Sequence, residues 1–184
     1  MKKGSVIIIG AGPGLGSSLA RKFAKEGHHV FVVRRERNAS ALDELCNEIE
    51  ISGGNATAIP TDARDEEQVI NLFSKISEHG QIDCVIFNIG ANVFFPIKET
   101  TARVFKKVWE MATFGGFLVG RESAKHMKNN GTIIFTGATA SVRGSSGFSA
   151  FSSAKFGLRA LAQSLARELG PQGIHVVHTI IDGA

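Results

Sequence analysis

The chain has 184 residues, of which 43% are hydrophobic and 21% charged, and its formal net charge is +4. This composition is typical of a single globular domain and excludes a disordered, collagen-like or disulfide-rich chain. Basic residues are spread among acids, with no basic run beyond Arg34-Arg35 and Arg37, so we expect no nucleic-acid partner.

The short apolar runs, the cysteines and the histidines bear on the cellular location of the protein and on membrane and metal binding. The run Val6–Ile9 is too short for a signal peptide or a membrane span, so no membrane partner is expected. Cys46 and Cys84 form neither a metal-type pair nor a disulfide framework, which favours a cytoplasmic location. The histidines show no metal-ligand spacing, and no metal is expected.

A glycine cluster follows the first apolar run. Ile7-Ile8-Ile9 is typical of a buried strand, and the next segment has apolar residues at helical spacing. Such a strand, tight turn and helix N-terminus can hold a pyrophosphate on backbone N–H groups. A glycine-rich turn that binds nothing is the alternative. The candidate binding residues are Gly10, Gly12, Pro13, Gly14, Leu15 and Gly16.

The second strand, 29–33, ends at Arg34 and Arg35. In a nucleotide-binding βαβ unit the end of this strand meets the adenosine ribose. An acid there would favour NAD, whereas two arginines suit a 2′-phosphate, so NADP(H) is preferred over NAD(H). An exposed strand end without a ligand is the alternative. The missing acid also disfavours a methyltransferase.

The later segments continue to alternate between strand and helix patterns. Helices are predicted over 40–51, 65–78 and 148–169, and strands over 56–59, 84–87, 132–135 and 175–181. Residues 100–127 predict one long helix or a kinked pair joined at Gly115-Gly116. Residues 137–147 are a loop by composition.

This alternation predicts an α/β fold: one domain over 1–184 with a Rossmann-type doubly wound parallel sheet in three α/β/α layers. Such a sheet binds its ligand at the carboxyl ends of the strands. The residues at those ends are candidates for cofactor binding: Arg34, Arg35, Asp62, Ala63, Asn88, Gly90, Asp182 and Gly183.

Taken together, these residues resemble the short-chain dehydrogenase/reductase family. The glycine spacing matches, although Ile9 stands where a threonine is usual, and Asp62 lies where the family has an aspartate that touches the adenine. Phe87-Asn88-Ile89-Gly90 lies on the family's Asn-Asn-Ala-Gly, and Asp182-Gly183 on its Pro-Gly. The resemblance implies hydride transfer between a nicotinamide and a small-molecule carbonyl or alcohol substrate.

The catalytic set of the family is largely replaced here. By resemblance, Lys155 is the lysine that contacts the nicotinamide ribose, but Phe151 occupies the tyrosine position and Ala138 the serine position. Ala112 aligns with the family's asparagine, and the chain contains no tyrosine. A phenylalanine cannot donate a proton.

A remaining enzyme would need another acid: Lys155, Thr139, Thr113, Ser152 or a water. Thr139 is the best candidate for a displaced hydroxyl, and a loop threonine that bonds its own backbone is the alternative. Two functions stay open: an oxidoreductase with an atypical or impaired active site, and a catalytically silent dinucleotide-binding or partner-binding pseudoenzyme.

Two expectations concern the length of the chain and its assembly. Family members continue with a further strand and a segment over the substrate, which this sequence lacks, so it is either a fragment or a minimal protein. The helices predicted over 100–127 and 148–169 exceed what one sheet face requires, which favours a homodimer or homotetramer. Four aromatic residues there are interface or core: Phe105, Trp109, Phe114 and Phe117.

Overall fold

Strands and helices alternate along residues 3–182, the part of the chain that the computed structural model describes. The strands are β1 Ser5–Ile9, β2 His29–Val33, β3 Asn55–Ala58, β4 Ile82–Phe87, β5 Thr132–Gly137 and β6 His175–Ile180. The helices are α1 Leu15–Lys25, α2 Ala39–Ile51, α3 Glu66–Ser77, α4 Ala102–Trp109, α5 Gly115–His126 and α6 Ser149–Leu169. These bounds lie within a residue or two of the predicted ones.

All the strands pair in parallel, in the order β3-β2-β1-β4-β5-β6. The prediction of a doubly wound Rossmann-type sheet is confirmed. The strand order reverses between β1 and β4, and Ile9 pairs with both Val33 and Phe87, so β1, β2 and β4 end level with one another. A crevice therefore opens at this point, at the carboxyl ends of the strands.

Two hydrophobic cores cover the two faces of the sheet. Ile7 and Ile9 belong to the core beneath α3, α5 and α6, whereas Val6 and Ile8 belong to the core beneath α1 and α2. All four side chains are at most 2% exposed. Because successive strand residues point to opposite faces and both faces are covered, the strand is an unbroken apolar run. Full burial stabilises the fold by about 1.5–3 kcal/mol for each such side chain.

The join between α4 and α5 is a π-helical turn over Glu110–Phe114, one turn earlier than the predicted kink at Gly115-Gly116. The two glycines are instead positions of close packing. A Cβ at Gly116 would lie 2.5 Å from Cδ1 of Leu158 on α6, and one at Gly115 would lie 3.1 Å from the Ala63 carbonyl oxygen. Ala112, which aligns with the family's asparagine, is fully buried within the π-turn.

The segment after β5 is also more ordered than its composition predicts. Thr139–Ser141 forms a 3-10 turn, and the Ala138 N–H donates to Ser141 Oγ at 3.1 Å. The predicted loop over 137–147 is therefore wrong for its first residues, since small polar residues here cap a turn beside the carboxyl end of β5.

Neither a membrane span nor a metal cluster is found in residues 3–182. No helix there is long and apolar enough to cross a membrane, and no three His, Cys, Asp or Glu side chains are placed to hold an ion. Cys46 and Cys84 are free and buried. Burial raises their pKa values to about 11 and about 12, so both thiols stay protonated at neutral pH.

A buried carboxylate, Glu122, links α5 to α3. It is 1% exposed and accepts from Arg121 Nε at 2.8 Å and from Lys125 Nζ at 2.9 Å. Arg121 in turn reaches Glu66 of α3 at 2.7 Å. Burial disfavours the charged carboxylate, but the hydrogen bonds from Lys125 and Arg121 outweigh it and hold the pKa of Glu122 below its ordinary value.

We predict that Glu122→Gln lowers the free energy of unfolding by about 1–3 kcal/mol at pH 7, because the amide is a weaker acceptor for two cations. A carboxyl with a lowered folded pKa contributes stability above its unfolded pKa and loses it as pH falls through the folded value. The difference between variant and wild type should therefore shrink at acidic pH. Urea unfolding at pH 7 and pH 4 measures both effects.

The matched control is Glu48→Gln, which removes an exposed ion pair with Arg21. This change should cost less than about 1 kcal/mol. Equal losses for the two variants would contradict the role assigned to Glu122.

Candidate active-site cleft

The glycine loop lies between the ends of β1 and β4. Gly10 has φ +99°, and a Cβ there would overlap the Asn88 carbonyl oxygen. The Asn88 side chain holds this approach by donating from Nδ2 to the Gly10 carbonyl at 3.1 Å. Helix α1 then begins with Gly14 as its N-cap, and no side chain caps it. Its uncapped N-terminus fits a pyrophosphate, which binds to backbone N–H groups at the positive end of a helix.

A first cavity of about 220 Å³ lies beside this loop and the end of β2. It brings together eight of the predicted residues: Gly10, Gly12, Arg34, Arg35, Asp62, Ala63, Asn88 and Gly90. Eight further lining residues were not predicted: Ile9, Val33, Arg37, Asn38, Thr61, Arg64, Ile89 and Met111. Of these, Met111 reaches the cavity from the π-turn, which lies one turn before the predicted join at Gly115-Gly116.

Arginines make the first cavity strongly positive. The Arg34 guanidinium lies over Gly12, with Cζ 3.7 Å from the position of a Cβ there. Burial, followed by the charges of Arg37 and other neighbours, lowers the pKa of the Arg35 guanidinium. A cluster of like charges that is partly withdrawn from water favours a bound anion.

Asp62 forms a close ion pair that the sequence analysis missed. Its carboxylate accepts from Arg64 Nε at 3.0 Å, from Nη2 at 2.5 Å and from the Arg64 backbone N–H at 3.1 Å. These bonds lower the pKa of Asp62 and raise that of Arg64. The signal for it was the Asp-x-Arg spacing at a turn, where an aspartate commonly accepts from the backbone two residues on. The predicted contact of Asp62 with an adenine stays a prediction.

A second cavity of about 470 Å³ shares Asn88, Ile89 and Gly90 with the first, so the two form one cleft along the carboxyl edge of the sheet. Five further predicted residues line it: Ala138, Thr139, Phe151, Lys155 and Asp182. Pro13, Gly14, Leu15 and Gly16 line neither cavity. A Cβ at Gly16 would overlap Gly10, so Gly16 allows close packing of α1. Gly183 lies outside the described residues.

Lys155 is buried in the floor of the second cavity, at 3% exposure. Its Nζ donates to the carbonyl oxygens of Thr136 at 2.8 Å and Ile89 at 3.2 Å. An ammonium has three donors, so among residues 3–182 one N–H is left for a ligand. Burial lowers the pKa of Lys155 to about 8.

The groups beside Lys155 are apolar. The Phe151 ring is 7% exposed, and its centroid lies 5.9 Å from Lys155 Nζ. Ala138, on the facing loop, presents a methyl group to the same cavity. Where the family resemblance implies a phenol and a serine hydroxyl, this cleft has a phenyl ring and a methyl group.

Three hydroxyl groups were candidates for a replacement acid, and the structure separates them. Thr139 donates through its Oγ1 and, at 2.7 Å, through its N–H to Asp182, so it does not bond its own backbone as the alternative held. These bonds lower the pKa of Asp182. Thr113 Oγ1 donates to the Ala154 carbonyl at 2.8 Å and so joins the π-turn to α6. Ser152 lines the second cavity, and its Oγ is buried without a partner in residues 3–182.

The chain is similar in sequence and in fold to known proteins. A sequence model described as short chain dehydrogenase matches residues 4–181. A short-chain dehydrogenase from Rhodopseudomonas palustris is 55% identical, with a TM-score of 0.93 over 98% of this chain and 85% of that one. Another, from Burkholderia cenocepacia, was solved in complex with NADP; it is 25% identical, with a TM-score of 0.89 over 95% and 72% of the two chains.

A versicolorin reductase of Emericella nidulans is 32% identical over 97% of this chain and 67% of its own length. An elsinochrome reductase of Elsinoe fawcettii is 30% identical, with 64% of its length covered. The chain thus spans about two thirds of the length of these curated relatives. The family match covers nearly the whole sequence, and the fold and the glycine loop agree with it. The chain belongs to the short-chain dehydrogenase family.

Proposed function

We propose that the protein is an NADP(H)-preferring oxidoreductase that moves a hydride between the nicotinamide and a carbonyl or alcohol substrate. One observation carries the proposal: a single cleft has the arginine cluster at one end and the buried Lys155 at the other, and the two ends meet at Asn88–Gly90. The NADP bound to the Burkholderia cenocepacia relative supports it. Bound NADPH would supply the hydride.

From the arginine end of the cleft to Lys155, the residues match successive parts of NADP(H). The uncapped N-terminus of α1 and its glycine loop would hold the pyrophosphate. Arg34 and Arg35 would bind the 2′-phosphate, since paired guanidinium groups match phosphate geometry. The adenine would lie by Asp62 and Ala63. Further along, the residues at the nicotinamide half would be Asn88, Gly90, Lys155, Asp182 and Gly183.

Lys155 is the group we propose as the proton source in carbonyl reduction. Its third N–H is unused by the Thr136 and Ile89 carbonyls, and its pKa near 8 lets it give up a proton at neutral pH. The carbonyl oxygen takes this proton, and the amine regains one from solvent. The Thr139 hydroxyl donates its hydrogen bond to Asp182, so its oxygen would accept a hydrogen bond from the hydroxyl of the alcohol form of the substrate.

A catalytically silent dinucleotide-binding or partner-binding protein is the second candidate function. Phe151 and Ala138 favour it, because neither can donate to a substrate oxygen. Loss of a positioned general acid typically lowers the rate by about 10²–10⁴. The cofactor end of the cleft would serve this function unchanged.

We further propose a cytoplasmic homodimer or homotetramer that binds neither nucleic acid nor membrane. Phe105, Trp109 and Phe117 on α4 and α5 are 39–42% exposed, whereas Phe114 packs against the core between them. Burying such aromatic surface between copies would be favourable. Light scattering of the purified chain tests the assembly. The free buried cysteines suit a reducing compartment.

NADPH should bind more tightly than NADH, and Arg34→Ala with Arg35→Ala should abolish the difference. Each charge-assisted bond to the 2′-phosphate is worth about 1.5–3 kcal/mol, so we expect NADPH affinity to fall at least about tenfold while NADH affinity stays within about threefold. Titration of cofactor fluorescence measures both. Arg167→Ala, on the exposed face of α6, is the matched control. Equal affinity of the wild type for the two cofactors would sink the assignment of the arginines.

Restoring the family's groups separates the two candidate functions. In the double variant Phe151→Tyr with Ala138→Ser, NADPH-dependent reduction of a carbonyl panel should rise about 10²–10⁴-fold over a measurable wild-type rate. Phe156→Tyr, on the exposed side of α6, should change nothing. Activity that appears only in the double variant would identify the natural protein as the silent binding protein.

The pH profile of carbonyl reduction should report Lys155. Because its pKa is lowered to about 8, the protonated amine that reduction needs is present below that pH and is lost above it. We expect kcat/KM to be level from pH 6 to 7.5 and to fall about tenfold per pH unit above 8. Lys155→Arg should lower kcat/KM by about 10²–10⁴-fold at every pH, because a guanidinium does not give up its proton. A wild-type profile that is level up to pH 9.5 would refute Lys155 as the donor.

A further inference from the structure

Three phenylalanines form a continuous ring surface from the mouth of the second cavity to Lys155. Phe94 meets Phe148 edge to face at 5.3 Å, and Phe148 meets Phe151 at 6.5 Å with an interplanar angle of 57°. Phe148 and Phe151 line the cavity itself, and Phe94, which is 63% exposed, contacts the Phe148 ring without lining the cavity. We refer to Phe94, Phe148 and Phe151 as the aromatic wall.

The backbone holds this wall in place. Gly147 has φ +78°, and a Cβ there would overlap the Phe94 ring, so the ring rests directly on the main chain. The Phe95 N–H donates to the Gly147 carbonyl at 2.8 Å, which fastens the loop after β4 to the residue before Phe148. The outer ring is therefore positioned by a main-chain bond, which reduces the entropy lost when a ligand orders it.

The lining of the second cavity is apolar beside the aromatic wall and polar on the other side, and this contrast favours binding of an apolar ring. At its inner end, Phe151 and Ala138 leave a phenyl ring and a methyl group beside the Lys155 ammonium. Across the cavity stand Thr139, Arg143 and Asp182, which are polar or charged. The cavity thus has an aromatic side and a polar side, and its buried side-chain donors include Lys155 Nζ and Ser152 Oγ.

We propose that this cavity selects carbonyl compounds whose carbonyl is attached directly to an aromatic ring. The proposal rests on the proposed function and names the substrate class for it. The ring would lie against Phe148 and Phe151, where offset and edge-to-face contacts favour an aromatic over a saturated ring. The attached carbonyl oxygen would then reach the free N–H of Lys155. The cavity of about 470 Å³ would be shared: the ring lies beside Phe148 and Phe151, and the nicotinamide half lies beside Asn88, Gly90 and Asp182.

A matched pair of probes tests the ring preference directly. 1-Tetralone and 1-decalone have the same carbon skeleton and a ketone at the same place, but only 1-tetralone has an aromatic ring beside it. Calorimetric titration of the NADP⁺-saturated protein should give a Kd for 1-tetralone about fivefold or more below that for 1-decalone, as expected for one favourable ring contact. This readout requires no turnover.

Phe148→Leu keeps an apolar side chain but removes the ring, so the two probes should bind it equally well. Phe156→Leu is the matched control: Phe156 lies on α6, which begins one residue after Phe148, is 42% exposed and lines neither cavity, and its variant should keep the preference. Thermal unfolding and NADPH affinity of both variants should match the wild type, which establishes that neither change disturbs the fold.

The outcomes separate this inference from the proposed function. Preferred binding of 1-tetralone without NADPH-dependent reduction would support the aromatic site and count against the hydride transfer. Reduction of small aliphatic aldehydes with no preference for 1-tetralone would support the oxidoreductase and overturn the aromatic site. Failure of wild type to bind either ketone, or an undiminished preference in Phe148→Leu, would also overturn it.

Discussion

The burial of one ammonium group shapes the cleft. Lys155 is almost fully enclosed, and a buried charge is costly unless hydrogen-bond acceptors replace its water. Its acceptors are main-chain carbonyls of Thr136, within β5, and Ile89, just after β4. The lysine therefore fastens α6 to the ends of two neighbouring strands. The position of the Asn88–Gly90 segment, where the two cavities meet, depends on these bonds.

The electric field in the cleft depends on which charged side chains have hydrogen-bond or ion-pair partners in the protein. Asp62 is paired with Arg64, and Asp182 accepts two bonds from Thr139, so each acid near the cleft has protein donors. Arg34 and Arg35 crowd the other end with positive charge, and Lys155 is desolvated. The field at the arginine end of the cleft therefore favours an anion, as a dinucleotide phosphate would supply.

Much of the fold could be predicted because it depends on local patterns. The apolar run Ile7-Ile8-Ile9 reports a strand buried on both faces, and the glycines after it mark a turn that only a small residue allows. Contacts between distant segments were beyond prediction. The bond from Thr139 to Asp182 spans 43 residues, and it depends on the pairing register of β5 and β6.

The site was predicted less completely than the fold, because it depends more on contacts between distant segments. Position along the sheet edge was enough to group Arg34, Asp62 and Asn88, since the carboxyl ends of parallel strands converge. The partner of a side chain is decided by its rotamer and by neighbours from other segments. The π-turn that brings Met111 to the first cavity is of this kind, whereas the pairing of Asp62 with Arg64 is local and had a signal in the Asp-x-Arg spacing.

The hydrogen bonds of Lys155 also limit what this residue indicates about catalytic function. A lysine that neutralises two main-chain acceptors is needed for the shape of the cleft whether or not a reaction occurs there, so it is compatible with both candidate functions. Phe151 has no such structural requirement, because it lines the cavity and a tyrosine differs from it by one hydroxyl. The apolar groups beside the lysine therefore discriminate between the two functions. Phe151 and Ala138 replace the family's proton donor and serine hydroxyl with a surface against which an aromatic ring can pack.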